Sequence, residues 1–358
     1  MALGVFRQLT RGAAVIATVA LLASPTFVEA KGQSTSSAKR PAAPVAKSTT
    51  KKTSAYSAST ARARRARLAK ARQAALARTV REAQTPRFKI DEFGQEVPDV
   101  RAEAAIIYNP TTREVLWSSN AESERSIASI TKVMTALVVF ESGIDLSTPV
   151  TVQLSDVSRA STTYLRRGYK VTVEDLLNLL LIGSDNAAAR ALARVSPYGS
   201  EGFIVRMNDK AQELGLASTH YADPSGLLAD NVSSAYDMAQ LIAYVAADER
   251  IGAVMRKTSY TTSAGKVQIR ANSTNQLVKT GDIDVLGGKT GFISRSGYCL
   301  ASLLRLPQTG QQVAVVVLGA KSNASRFWET RHLFNWLSSR TKALVGTGES
   351  QGQDPLQD

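Results

Sequence analysis

The sequence Ser126-Ile-Ala-Ser129-Ile-Thr-Lys132-Val-Met-Thr-Ala places a serine and a lysine three residues apart at the start of an apolar repeat. From Ile130 onward its apolar residues recur at the spacing of one helix face, and this pattern continues to Gly143. We therefore predict a helix that carries Ser129 in its first turn. Because an α-helix has about 3.6 residues per turn, Ser129 and Lys132 would share a face and lie within hydrogen-bonding reach.

The segments on either side of this helix predict a sheet and further helices. Apolar spacing, with a capping box at Thr172 and Asp175, predicts helices over residues 172–182, 186–194, 202–214, 235–247 and 325–339. Strand patterns occur over residues 102–108, 115–118, 260–262, 267–269, 286–293, 297–303 and 312–318. Early strands, a block of helices and late strands predict an α+β fold, in which an antiparallel sheet formed by both chain ends is flanked by a helical cluster.

Composition divides the chain into four segments. Residues 1–30 contain a short apolar run after two arginines, which predicts a cleaved secretory signal, because a membrane span needs roughly 20 apolar residues. We expect an exported, periplasmic protein that does not span the membrane after cleavage. Residues 31–98 are rich in Ala, Lys and Arg, which predicts a disordered linker with at most a fluctuating helix. Residues 99–342 are long enough for one core, and residues 343–358 form a polar tail.

Positive charge is concentrated in the predicted linker. The whole chain carries a net charge of +14, of which residues 31–90 contribute about +15, so that everything after Ile90 is close to neutral. Outside the cytoplasm such a tail would attract anionic envelope polymers or lipid headgroups. Nucleic acid is not an expected partner, because Tyr56 is the only aromatic residue between Lys31 and Gln84. A solvated spacer remains an equal alternative.

Three short motifs carry the candidate chemistry: Ser129 with Lys132, the run Ser184-Asp185-Asn186, and the run Lys289-Thr290-Gly291. Each is common by chance, and each alone is compatible with a solvated helix face, a helix cap or a strand. In this order they describe a serine nucleophile, an amine base, a hydroxyl relay and a carboxylate-binding strand. The sequence therefore predicts an acyl-transfer enzyme.

The roles of these residues follow from their chemistry. Lys132 can accept the Ser129 proton only if its pKa falls from about 10.4, through burial, the helix dipole or a second cation such as Lys289. Ser184 can pass a proton between Lys132 and the leaving group, and Asn186 can orient Lys132 or hold a substrate carbonyl. Asp185 is expected to point elsewhere and cap the following helix.

The tripeptide Lys-Thr-Gly occurs twice, at Lys279-Thr280-Gly281 and at Lys289-Thr290-Gly291. The first copy leads into a polar, turn-like stretch, whereas the second lies in a strand pattern. A strand that lines a cleft needs glycine where a substrate backbone approaches closely, which Gly291 provides. We therefore assign the carboxylate-binding strand to Lys289.

Other catalytic classes are disfavoured by composition. The only two histidines, His220 and His332, lie near no nucleophile-elbow pattern, which argues against a Ser-His-Asp triad. The single cysteine, Cys299, lies in an apolar run and is predicted to be a small buried hydrophobe. No metal-ligand spacing occurs, and no metal or cofactor is expected.

The chain resembles the low-molecular-mass penicillin-binding proteins, serine D-Ala-D-Ala peptidases, over roughly residues 102–342. The resemblance is carried by the first stretch quoted above and by Gly183-Ser-Asp-Asn-Ala-Ala-Ala, Asp223-Pro-Ser-Gly-Leu, Ser234-Ala-Tyr-Asp-Met-Ala and Gly288-Lys-Thr-Gly through Gly297-Tyr-Cys-Leu. It is most similar to the D-alanyl-D-alanine endopeptidases of the penicillin-binding protein 7 type. The resemblance implies a β-lactamase/transpeptidase-like fold, peptidoglycan stem peptides as substrates and β-lactams as acylating inhibitors.

The same resemblance implies residue roles. Ser129 would be the acylated nucleophile, Lys132 its base and Ser184 the relay, whereas Asn186, Lys289, Thr290 and Gly291 would contact substrate. The backbone amides of Ser129 and Phe292 would form the oxyanion hole.

Three alternatives remain open at this point. A D-alanyl-D-alanine carboxypeptidase would form the same acyl-enzyme, and the short C-terminal tail without an amphipathic pattern favours the endopeptidase modestly. A class A β-lactamase needs a deacylating glutamate, for which Glu213-Leu-Gly-Leu is the nearest match. A peptidoglycan-binding or β-lactam-sensing module with a vestigial site would not require Ser129, Lys132, Ser184 and Lys289 to be intact.

Overall fold

A computed structural model of the protein describes residues 51–349. The signal predicted for residues 1–30 lies outside the described residues, as do the first part of the predicted linker and the end of the polar tail. The described chain contains ten α-helices, which are α1 (Lys51–Gln84), α2 (Lys132–Glu141), α3 (Leu154–Val157), α4 (Val173–Ile182), α5 (Asn186–Val195), α6 (Gly199–Glu213), α7 (Ala235–Ala247), α8 (Glu249–Arg256), α9 (Gln276–Thr280) and α10 (Asn323–Glu349). None of these helices is both long enough and apolar enough to cross a membrane.

The central sheet is formed by strands from both ends of the domain, as the sequence predicts. Its strands are β1 (Ala104–Tyr108), β2 (Val115–Ser119), β3 (Asp284–Ile293), β4 (Gly297–Arg305) and β5 (Gln312–Ala320). They are arranged in the order β3-β4-β5-β1-β2, and every neighbouring pair is antiparallel. Strand β3 is therefore an edge strand, whose outer edge is available to a ligand.

Four two-stranded pairs complete the β-structure of the described residues. They join Phe88–Ile90 with Glu96–Pro98, Arg125–Ser126 with Val232–Ser233, Pro149–Thr151 with Lys170–Thr172, and Ser259–Ala264 with Val267–Asn272.

Both faces of the central sheet are covered by helices. Because side chains alternate along a strand, Ile106 packs into a core with α2, α4, α5 and α7, whereas Ile107 packs with Phe327 and Leu333 of α10 on the opposite face. The predicted capping box is confirmed at the start of α4, where Thr172 and Asp175 exchange side-chain to backbone hydrogen bonds. The predicted α+β, β-lactamase/transpeptidase-like fold is confirmed.

The structure differs from the linker and tail predictions. Within the predicted disordered linker, residues 31–98, it contains helix α1 and the hairpin over residues 88–98. The alanines, arginines and lysines of α1 are strong helix formers, and its described side chains are exposed, so intrinsic propensity rather than packing accounts for this helix. The hairpin segment is short but contacts α10, where His332 bonds the Arg87 carbonyl. Helix α10 also continues beyond Lys342 to Glu349, into the predicted polar tail.

Candidate active site

Ser129 lies in a tight turn rather than in the helix itself. Residues Ala128–Thr131 form a 3₁₀ turn, and α2 begins directly afterwards at Lys132. Ala128 has a φ of 47°, a left-handed conformation that is uncommon for residues other than glycine. Two glycines pack closely against the turn. A Cβ on Gly226 would lie 2.0 Å from the Ala128 carbonyl oxygen, and one on Gly291 would lie 2.6 Å from the Ile127 carbonyl oxygen.

The contacts of Lys132 indicate which neighbours receive its N–H groups and which one faces its lone pair. Lys132 Nζ lies 2.9 Å from Ser129 Oγ and 2.6 Å from Asn186 Oδ1, and it also contacts the Ser225 carbonyl oxygen. A neutral amine has two N–H groups and one lone pair, and the two carbonyl oxygens can only accept. The two N–H groups are therefore given to Asn186 and Ser225, and the lone pair faces the hydroxyl of Ser129.

The environment of Lys132 favours the neutral amine. The side chain is fully buried in α2, and burial lowers its pKa to about 7. The carboxylates of Asp223 and Asp185 oppose this shift, whereas Arg190 adds to it. Near pH 7 the amine of Lys132 is therefore far easier to deprotonate than that of an exposed lysine.

The run Ser184-Asp185-Asn186 forms the junction between α4 and α5. Asp185 points away from the groove, as predicted, and accepts hydrogen bonds from the amides of Ala188 and Tyr164. Ser184 adopts a left-handed φ of 58°, which places its hydroxyl on the groove wall. Asn186 orients Lys132 through Oδ1, while its Nδ2 donates to the Ala160 carbonyl oxygen at 2.7 Å.

Edge strand β3 brings Lys289 to the same groove. Lys289 Nζ donates to Ser184 Oγ and to the Thr290 carbonyl oxygen, both at 2.8 Å. The pKa of Lys289 lies well below its usual value, first because of burial and then because of the positive charges of Lys132 and Arg326. A substrate carboxylate bound nearby would raise the pKa of Lys289 again, because its negative charge opposes both the burial and the two neighbouring positive charges. The first Lys-Thr-Gly copy lies instead at the end of α9, where Gly281 caps the helix.

The hydroxyl of Ser184 does not contact both of the groups between which it is predicted to pass a proton. In the described part of the chain, Ser184 Oγ bonds Lys289 and makes no hydrogen bond to Lys132 or Ser129. The proton path assigned to Ser184 would therefore close only with substrate in the groove, which is common in unliganded sites.

These residues surround one open groove of about 420 Å³. Six of the eight predicted site residues line it, namely Ser129, Ser184, Asn186, Thr290, Gly291 and Phe292. The other two, Lys132 and Lys289, are buried directly beneath its wall. A strand edge, a helix junction and a strained turn thus converge on a single cleft.

The sequence-based prediction missed two contributors to this cleft. Arg326 of α10 also lines the groove and donates to the carbonyl oxygens of Gly291 and Cys299. Burial lowers its pKa to about 10, and no acidic side chain among the described residues forms an ion pair with it. No sequence motif surrounds Arg326, so the sequence alone does not mark it as a groove residue.

The second contributor is the loop Asp223-Pro-Ser-Gly-Leu, a stretch that carries the family resemblance but to which the sequence assigned no role. This loop supplies the Ser225 carbonyl oxygen to Lys132. The Asp223 carboxylate shapes this loop by accepting hydrogen bonds from the backbone amides of Ser225 and Gly226 and from Asn231 Nδ2. A backbone acceptor has no side-chain signature in a sequence.

The residues of the competing classes lie elsewhere. Glu213 ends α6 and forms ion pairs with Arg206 and Lys210, which hold its pKa at about 2. It does not line the groove, and neither does any other described carboxylate. Cys299 is buried, and burial raises the pKa of its thiol. No cluster of His, Cys, Asp and Glu within the described residues could hold a metal ion.

An antiparallel sheet with helices on both faces, and a serine hydroxyl beside a buried lysine in a cleft, define a serine enzyme of the acyl-transferring class. Residues 91–322 match the D-alanyl-D-alanine carboxypeptidase family, peptidase S11. The chain belongs to this family and is a serine DD-peptidase.

Individual relatives agree with this assignment. The chain is 31% identical over 246 residues to a D-alanyl-D-alanine endopeptidase of Escherichia coli, covering 68% of this chain and 79% of the relative. It is 33% identical over 254 residues to the D-alanyl-D-alanine carboxypeptidase DacC of the same organism, covering 67% of this chain and 62% of the relative. The crystal structure of the Streptomyces K15 DD-transpeptidase superposes with a TM-score of 0.62 at 28% identity, covering 67% of this chain and 97% of that one.

Proposed function

We propose that the protein cuts D-alanyl cross-links in peptidoglycan as an endopeptidase, through an acyl-enzyme on Ser129. The observation that carries this proposal is the approach of Lys132 Nζ to 2.9 Å from Ser129 Oγ, with both of its other contacts restricted to acceptors. This arrangement makes the lysine a base toward one hydroxyl and toward nothing else.

The cycle balances without a cofactor. Neutral Lys132 takes the Ser129 proton as Oγ attacks the D-Ala carbonyl carbon, and the amides of Ser129 and Phe292 stabilise the oxyanion. The carbon–nitrogen bond then breaks, and the proton passes from Lys132 through Ser184 to the leaving amine. Water next attacks the ester, giving one proton to Lys132, which returns it to Ser129 as the acyl group leaves.

Positive groups on the groove wall suit the leaving side of the substrate. Thr290 and Arg326 line one wall of the groove, and the amine of Lys289 lies buried beneath that wall. Because burial lowers the pKa of Lys289, a carboxylate that binds nearby would favour its protonated form. A carboxylate would bind there through charge-assisted hydrogen bonds. A terminal D-Ala and a cross-linked diaminopimelate both carry a carboxylate on the carbon that bears the leaving nitrogen, so this wall fits either substrate.

The choice of the endopeptidase rests on the relatives. Endopeptidases of Escherichia coli, Haemophilus influenzae and Pseudomonas aeruginosa match this chain over 77–79% of their own lengths. A carboxypeptidase remains the second candidate, because DacC is equally identical in sequence.

Digestion of purified sacculi tests this choice directly. We expect the full-length protein to release uncrosslinked tetrapeptide muropeptides, identified by mass, and a Ser129→Ala variant to release none. Release of stems shortened by one D-Ala, with cross-links intact, would instead establish the carboxypeptidase. Labelled penicillin should form a covalent adduct with the unaltered protein and not with Ser129→Ala.

The basic segment supports a second proposal about location. We infer that the protein acts in the periplasm and that its arginine-rich segment holds it near anionic envelope polymers. Between Arg62 and Arg72 this segment presents five exposed arginines along α1, with no acidic residue among them. Its attraction to polyanions would be electrostatic and screened by salt.

Replacing these five arginines with glutamine should lower sacculus binding several-fold at low salt and remove most of its salt dependence. Glutamine retains helix propensity, so α1 should persist. Cosedimentation with sacculi across a salt series measures the effect, and cleavage of a small soluble substrate provides the control. Deleting residues 31–84 should give the same result, and an equal loss on both substrates would contradict the proposal.

A further inference from the structure

A second depression is lined by residues that neighbour those of the active-site groove in the chain. Three segments contribute to the wall of the groove: the end of β3 from Phe292 to Ser294, the loop at Leu227, and the turn at Ser129. The same segments meet again around a cavity of about 520 Å³ that is lined by Ser126, Ala229, Val232, Ser296 and four charged residues. A smaller cavity shares Phe292 and Ser294 with the groove, and Arg125 and Arg295 with the second depression.

The four charged residues of this second depression are of both signs. Arg125 and Arg295 line it together with Glu124 and Asp230. Within the described chain none of the four forms an ion pair or a side-chain hydrogen bond, and the buried Nε of Arg125 has no partner. Two cations and two anions therefore face one cavity without neutralising each other.

The nearby charges are already paired. Glu103 and Lys321 line the smaller cavity, but they form an ion pair with each other. Among the charged residues that line these two cavities, only the four of the second depression are therefore without an ion pair.

The direction of the groove follows from the proposed reaction. Ser184 and Lys289 lie where the leaving amine receives its proton, so the acyl part of the substrate must extend the other way, past Phe292. Phe292 is 49% exposed and its ring stacks on Tyr298 at 4.2 Å, which provides a flat apolar surface at this exit. An extended chain advances about 3.3 Å per residue, so Arg295 lies at most about 10 Å beyond Phe292.

We propose that this second depression binds a zwitterionic end group, an ammonium and a carboxylate on one carbon, carried by a side chain on the acyl side of the substrate. Arg125 and Arg295 would hold the carboxylate, and Glu124 and Asp230 would hold the ammonium. Diaminopimelate next to D-Ala in a stem peptide carries such an end group. The inference rests on the proposed function and adds a specificity-determining subsite to it.

Two matched soluble substrates test the subsite. Both are stem peptides with diaminopimelate next to D-Ala, and they differ only in whether the far end of that side chain is free or is N-acetylated and amidated. The unaltered full-length protein should cleave the free form with a kcat/KM about tenfold higher, the size expected of a charge-assisted contact.

Variants then locate the effect. The ratio of the two kcat/KM values should fall toward one in Arg295→Gln and in Asp230→Asn. Arg295→Lys should retain much of the original ratio. Arg270→Gln, which removes an exposed arginine outside the groove, should keep the full preference. Equal cleavage of both substrates by the unaltered protein, or an unchanged preference in Arg295→Gln, would overturn the subsite while leaving acylation by labelled penicillin intact. Failure of the unaltered protein to form a penicillin adduct would instead overturn the proposed function itself.

Discussion

Replacing Lys132 with methionine is expected to lower the rate at which labelled penicillin acylates Ser129 by about a thousandfold. Methionine fills a similar volume but has no lone pair with which to accept the Ser129 proton. The two acceptors that now receive Lys132 N–H groups, Asn186 Oδ1 and the Ser225 carbonyl oxygen, would also lose their donor. The measurement is the second-order acylation rate constant.

The pH dependence of acylation gives this prediction a second readout. Because the pKa of Lys132 is lowered to about 7, the base is protonated and inactive below that pH and neutral above it. The acylation rate of the unaltered protein should therefore rise through pH 7 and level off at higher pH. The residual rate of the methionine variant should lack this inflection.

Lys210→Met is the matched control. Lys210 is also largely buried, but it lies in α6, where it pairs with Glu141 and Glu213. The same substitution there should leave the acylation rate unchanged. If Lys132→Met, with a normal circular dichroism spectrum, were acylated as rapidly as Lys210→Met, Lys132 would not be the base.

The parts of the site that depend on local geometry could be predicted from the sequence. Ser129 and Lys132 are three residues apart, so helical periodicity alone brings them together, and their 2.9 Å contact agrees with that. The cap formed by Asp185 is likewise local. The 3₁₀ form of the turn around Ser129 was not predicted, because it results from packing against Gly226 and Gly291, which are distant in sequence.

The parts that depend on nonlocal contacts could not be predicted. Ser225 contributes a backbone oxygen, which any residue type could supply. Arg326 reaches the groove only because α10 packs on β4 and β5, from where its side chain extends to the Gly291 carbonyl oxygen of β3. The pairing of Ser184 with Lys289 joins segments 105 residues apart. Helix α1 lies where the sequence allowed a fluctuating helix but no packed one. Composition indicates that this segment cannot form a core, and it does not exclude an exposed helix.

Replacing Gly226 with alanine should lower the acylation of Ser129 by about a hundredfold or more, an effect comparable to removing an oxyanion-hole donor. A Cβ at this position would lie 2.0 Å from the Ala128 carbonyl oxygen and 2.9 Å from the Ser129 amide nitrogen. These are backbone atoms, so the turn itself must move. That movement would displace both the nucleophile and one of the two amides proposed to bind the oxyanion.

Gly215→Ala separates this steric effect from backbone strain. Gly226 and Gly215 have similar left-handed φ values, +77° and +70°, so alanine costs about 1–2 kcal/mol of backbone strain at either position. No atom lies within 4 Å of a Cβ at Gly215. Both variants should therefore lose some thermal stability, but only Gly226→Ala should lose acylation. Equal acylation rates in the two variants would mean that the turn around Ser129 tolerates displacement, and the close packing of the loop against it would then have no catalytic role.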